Sequence, residues 1–161
     1  MDHLWSPWRY RYVQHPGEPD TGCIFCQKPA EQRDAENYIV YRGRKNFIIL
    51  NLYPYTTGHM MVVPYEHVAK LTEAQPETLA EMMELARRAE GVLASIYKPH
   101  GFNIGMNIGE AAGAGIAGHI HMHVLPRWRG DANFVSTVGE TRVMPEELSH
   151  TYDKVSREFT L

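Results

Sequence analysis

Only two cysteines occur in the 161 residues, Cys23 and Cys26, in the run GCIFCQ. A chain of this length can bury roughly 70 % of its unfolded surface, so it needs no disulfide framework to be stable. No apolar run approaches the 18 or so residues of a membrane span, and the opening MDHLWSPWRYRYV lacks the uninterrupted apolar stretch of a secretory signal. These absences argue against a membrane partner and set the cytoplasm as the expected location. Charge of one sign is missing too. Sixteen Lys and Arg stand against 19 Asp and Glu, giving a net charge of −3 and a pI near 6.3, which disfavours binding long nucleic acid through bulk electrostatics. The basic residues gather only locally, as Arg42, Arg44 and Lys45 and as Arg127 and Arg129, and clusters of this size are most often solvated faces. With no repeat, low-complexity segment or composition shift, one domain over 1–161 is expected. Its core spans 38–128, between an N-terminal segment 1–37 and a C-terminal extension 129–161.

What is present is concentrated in HIHMHVLPRW, residues 119–128. Read as a strand, this run places His119, His121 and His123 on one face at about 6.6 Å intervals, with Ile120, Met122 and Val124 on the other. A single strand histidine is usually structural. Three on one face must be solvated, metal-bound or used, because packed dry they would leave polar nitrogens unpaired. A catalytic zinc held by His-x-His is one reading. Phosphate chemistry is the other, since Gly109, Gly113, Gly115 and Gly118 precede the run and their backbone N–H groups can approach an anion closely.

The remaining patterns predict an α+β domain with an antiparallel sheet of about five strands. Tyr38–Arg42 and Phe47–Leu52, split by Gly43, read as a hairpin; His59–Pro64 reads as a third strand and Phe102–Ile108 as a fourth, the triad being the fifth. Apolar residues from Leu79 to Tyr97 follow helical spacing and predict one long helix over Pro76–Lys98, while residues 145–158 predict a short terminal helix. The Cys23/Cys26 pair reads as half a zinc site, a redox pair or two plain thiols; nothing upstream offers the strand that a thioredoxin-like motif requires.

HIHMHVLPR closely resembles the signature of the histidine triad (HIT) family. LWSPWRYRY, NLYPYTTGHMMVVPY, PHGFNIGMNIG and RWRGDANF are similar to blocks of its bacterial diadenosine tetraphosphate phosphorylase and hydrolase branch. The resemblance implies a HIT-like fold, a homodimer, and cleavage of dinucleoside polyphosphates through a nucleotidyl-histidine intermediate. It assigns His121 as nucleophile, oriented by a backbone carbonyl near His119, with His123 as donor to the leaving phosphate and Asn107 as an oxyanion ligand. Asn107 also fits a strand-end turn residue. Asn51 falls where the family holds ribose hydroxyls, and Ile24, Phe25, Phe47 and Ile49 fall where it holds the base. Ala114, Gly115 and Arg127 are the candidates for contacting phosphate. The same resemblance implies a structural zinc on Cys23, Cys26, His59 and His119, and no organic cofactor. Gly115 stands where the phosphorylases carry a serine, which leaves phosphorolysis and hydrolysis both open. A nucleoside phosphoramidate hydrolase and a nucleotide sensor with little turnover are the alternatives.

Overall fold

The computed structural model describes residues 22–133, 136 and 144–160; the LWSPWRYRY block and Phe134 lie outside the described residues. In chain order the elements are α1 (Ile24–Ala30), α2 (Asp34–Asn37), β1 (Ile39–Arg42), β2 (Asn46–Leu50), β3 (Met60–Pro64) and α3 (Pro76–Tyr97). They continue with β4 (Gly101–Met106), a 3₁₀ turn (Glu110–Ala112), β5 (Met122–Arg127) and α4 (Leu148–Thr160). The five strands form one open antiparallel sheet in the order β1-β2-β3-β5-β4. The expected α+β class and strand count are therefore present.

β2 and β3 are buried along all five of their residues because both faces of the sheet are covered there. This is why their sequences, NFIIL and MMVVP, are apolar at every position but Asn46 rather than alternating. On one face Ile48, Leu50, Met60, Val62 and Val124 pack against Met82, Leu85, Ala86, Ala89 and Leu93 of α3 and Val155 and Phe159 of α4. On the other, Ile39, Phe47, Ile49, Met61 and Val63 form a second cluster capped by Phe25 of α1. That second face carries the site.

α3 starts with Pro76 in its first turn, where a missing N–H costs nothing, and ends at Lys98 in the left-handed conformation. One residue ties it to the hairpin. The Glu81 carboxylate accepts the backbone N–H groups of Arg44, Lys45 and Asn46 at 2.6–2.9 Å, and the Asn46 side-chain amide at 3.0 Å. Burial opposes ionisation of Glu81, yet these hydrogen bonds outweigh it and hold the carboxyl below its usual range. Glu81→Ala orphans three backbone donors at once and should cost about 2 kcal/mol, lowering Tm by roughly 5 °C in a thermal melt. A melt within 1 °C of the unaltered chain would show the turn to be held by other contacts.

Candidate active site

β5 begins at Met122, three residues later than the sequence pattern suggested, and this shift separates the three histidines. The Ile120 N–H bonds to the Val68 carbonyl, and the His119 N–H to that of Ile116, so the chain is still in a loop where His119 lies. His119 consequently leaves the common face. His121 and His123 remain adjacent, ring centroids 4.9 Å apart, on the side of Phe25, whose ring lies 5.0 Å from that of His121.

Hydrogen bonds fix the tautomers. His121 donates from Nδ1 to the His119 carbonyl at 2.9 Å, so its Nε2 carries the lone pair. His59 Nδ1 accepts the Tyr55 backbone N–H at 3.2 Å and lies 3.3 Å from the Asn51 amide nitrogen. The proton of His59 is thereby on Nε2, which donates to His123 Nδ1 at 2.9 Å and leaves His123 with an Nε2–H to offer. A nucleophilic nitrogen and a donor N–H thus stand side by side.

Burial keeps both rings neutral. It pushes His123 down to about 4, with His121 adding to the effect, and it pushes His121 down against the opposing pull of the His119 carbonyl. His119 is lowered too, chiefly by burial. Between pH 6.5 and about 4 the unfolded chain therefore binds protons that the folded one refuses, so stability falls as pH drops through that window. The His123 contribution alone amounts to at most about 3 kcal/mol. Urea midpoints at pH 7.5, 6 and 5 should decline in that order; a flat profile would contradict the neutral, buried state of these rings.

His119 turns its ring the other way. Its Nε2 donates to the Pro64 carbonyl at 2.9 Å, which frees Nδ1 to face Cys23 Sγ at 3.2 Å, Cys26 Sγ at 3.7 Å and His67 Nδ1 at 3.2 Å; Cys26 Sγ lies 3.4 Å from the same His67 nitrogen. All four ligand atoms lie within 4.8 Å of one another. A tetrahedral zinc with two sulfur and two nitrogen ligands needs spacings of about 3.3–3.8 Å between them, so the donor set fits. The fourth member is His67, not His59 as the sequence suggested. β3 runs antiparallel to β5 with Met61 opposite His123, so His59 lies beside His123 and the chain just beyond Pro64 meets His119. Six residues of strand, about 20 Å, separate those two ends of the pairing. Sequence reasoning missed His67, and this register is the signal that finds it.

The other candidates divide. Extending the β4–β5 pairing of Met106 with Met122 by one residue sets Asn107 opposite His121. Asn51 accepts the Tyr53 N–H and sits against His59, holding a loop at the edge of the site. Phe25, Phe47 and Ile49 are buried in the second apolar cluster, whereas Ile24 is 39 % exposed. Gly109 and Gly113 have φ of +82° and +87°, turning the loop before the triad as only glycine readily does. Within that loop the Ala114 N–H is directed at the Gly109 carbonyl, and Gly115 is exposed. Arg127 is committed elsewhere: its guanidinium clamps Asp131 at 2.6 and 2.7 Å and reaches Asn103 at 2.5 Å.

Residues 32–130 match the HIT domain. The chain belongs to the HIT family. It is 39 % identical over 157 residues to a Mycobacterium tuberculosis protein named AP-4-A phosphorylase, an alignment covering 94 % of this chain and 80 % of that one. It is 29 % identical over 93 residues to the asymmetrical bis(5′-nucleosyl)-tetraphosphatase of Schizosaccharomyces pombe, covering 58 % of this chain and 50 % of the relative. Among solved structures, a zinc-bound histidine triad family protein from Mycobacterium smegmatis superposes with a TM-score of 0.71 at 30 % identity, covering 86 % of this chain and 94 % of that one. No helix of the described residues is long and apolar enough to cross a membrane.

Proposed function

We propose that this HIT protein cleaves dinucleoside polyphosphates, diadenosine tetraphosphate in particular, through a covalent adduct on His121. The observation that carries the reading is the bond from His121 Nδ1 to the His119 carbonyl, which leaves Nε2 as an uncharged, oriented nucleophile. Nε2 attacks the α-phosphorus, the bond to the bridging oxygen breaks, and ATP departs as AMP is retained. A hydrogen bond from the His123 Nε2–H to that oxygen suffices for the departure, because the leaving group is itself a phosphate oxyanion. Asn107, opposite His121, is placed to meet charge on the non-bridging oxygens. An acceptor oxygen then displaces His121 from phosphorus.

Inorganic phosphate as acceptor gives ADP, and water gives AMP. The name of the M. tuberculosis relative supports phosphate; Gly115 and the commitment of Arg127 to Asp131 count for water. Diadenosine tetraphosphate incubated with and without millimolar phosphate decides between them. ADP plus ATP formed only with phosphate supports phosphorolysis, AMP plus ATP at a phosphate-independent rate makes the protein a hydrolase, and no turnover in either overturns the reading.

The Cys23, Cys26, His67 and His119 cluster would hold a closed, four-coordinate structural zinc, tying α1 to the start of the triad segment. We also propose a homodimer through β4. This edge strand, GFNIGM, carries no charge and no proline to block pairing, and exposes Ile104. Ile104→Lys should convert a dimer into a monomer in sedimentation at micromolar concentration; a dimer that survives the substitution uses another face.

A further inference from the structure

Beside the paired histidines, the loop between β2 and β3 exposes three large apolar side chains in a row of four residues: Leu52 at 42 %, Tyr53 at 72 % and Tyr55 at 39 %. Three large apolar side chains exposed within four residues beside a polar site offer surface that a flat apolar ligand can cover. The loop is pinned rather than free. Tyr53 N–H bonds to Asn51 Oδ1 at 2.9 Å, Tyr55 N–H to His59 Nδ1 at 3.2 Å, and Thr56 Oγ1 to the Pro126 carbonyl at 3.1 Å. Backbone bonds from Asn51 N–H to the His59 carbonyl and from His59 N–H to that of Thr56 close its base. The aromatic side chains are thus presented from a pre-organised backbone, which lowers the ordering cost of any ligand that lands on them.

Their position indicates which ligand. The Tyr55 ring lies 4.7 Å from the His59 ring and 5.9 Å from that of His123, centroid to centroid. In the reaction proposed above His123 faces the leaving oxygen, so Tyr55 stands beside the leaving group, and the more exposed Tyr53 lies two residues away in the same pinned loop. A nucleobase is the group that a solvent-facing tyrosine can hold there, by stacking that works for any base. We propose that the Tyr53–Tyr55 platform seats the second nucleoside of the substrate and so selects dinucleoside polyphosphates over mononucleotides. The proposal rests on the reading of His121 and His123 given above, and adds to it the recognition of the leaving half.

The test compares diadenosine tetraphosphate with adenosine 5′-tetraphosphate, which has the same phosphate chain and no second nucleoside. Tyr53 is the residue to change, since altering Tyr55 would also disturb His59 and His123. Tyr53→Ala should raise KM for the dinucleotide about tenfold with kcat within twofold, and leave KM for adenosine 5′-tetraphosphate within twofold. Tyr53→Trp should restore the dinucleotide KM, and its indole fluorescence should be quenched by the dinucleotide more than by the mononucleotide. Equal rises in both KM values, or no rise in either, would overturn the platform while leaving the His121 chemistry standing. Failure of the unaltered chain to turn over either compound would instead overturn the function itself, and the platform with it.

Discussion

His121→Asn should abolish turnover of diadenosine tetraphosphate by at least about 10³-fold while leaving its binding within a few-fold of the unaltered chain. The substitution is chosen for what it keeps. An asparagine amide can still donate to the His119 carbonyl that takes the imidazole Nδ1–H, and it fits the space beside Phe25, but it offers no nitrogen lone pair to attack phosphorus. His123→Asn removes only the donor to the leaving oxygen, so its loss should be smaller, within the 10² to 10⁴ typical of a single acid–base partner. Single-turnover mass spectrometry should find one adenylyl group on the unaltered chain and on His123→Asn, and none on His121→Asn. Turnover by His121→Asn within a few-fold of normal would remove the covalent step from the mechanism, whatever the family resemblance implies.

The sheet was legible where the chemistry of its residues demanded burial. Val, Ile and Met runs bounded by Gly43, Gly58 and Pro64 mark β3 within one residue and β2 within two, because few other arrangements hide nine apolar positions in two such short runs. α3 was legible for a similar reason, its Met82, Leu85, Ala86, Ala89 and Leu93 stripe having one helical solution. α1 and α2 were not, since seven and four residues are too short to show a period and one contains Pro29. The triad itself illustrates how far pattern reaches. Alternation places His121 and His123 together, but it continues through Ile120 without knowing that the Ile120 N–H is taken by Val68 rather than by a β-ladder. That one non-local bond sends the His119 ring toward the thiols. The base-pocket candidates are a different case, because apolar side chains at a pocket and in a core look alike in sequence: Phe25, Phe47 and Ile49 are buried with Val63 and Met61 on the face that carries the site, and Ile24 is exposed.

The two sets of histidine contacts should come apart experimentally, and this is the second large effect. His67→Ala, or Cys23→Ser with Cys26→Ser, should yield protein without zinc, melting well below the unaltered chain, because a closed four-ligand site contributes folding energy directly. His59→Ala should retain about one zinc per chain by elemental analysis on untagged protein, yet lose turnover, since His123 then has no donor at Nδ1 and its Nε2–H is no longer enforced. Metal retained in His67→Ala and lost in His59→Ala would reverse the assignment and require β3 to slide against β5 by about six residues. The zinc-free variants also measure how much the metal serves the chemistry. His119 presents its ring to the thiols and its own carbonyl to His121 Nδ1, so one residue links the two centres through a single pair of torsions. If that link only anchors α1, zinc-free protein below its melting point should keep near-normal kcat. If it also aims the nucleophile, kcat should fall with the metal, and an accompanying rise in KM would report displacement of Phe25, which α1 carries 5.5 Å from the His119 ring.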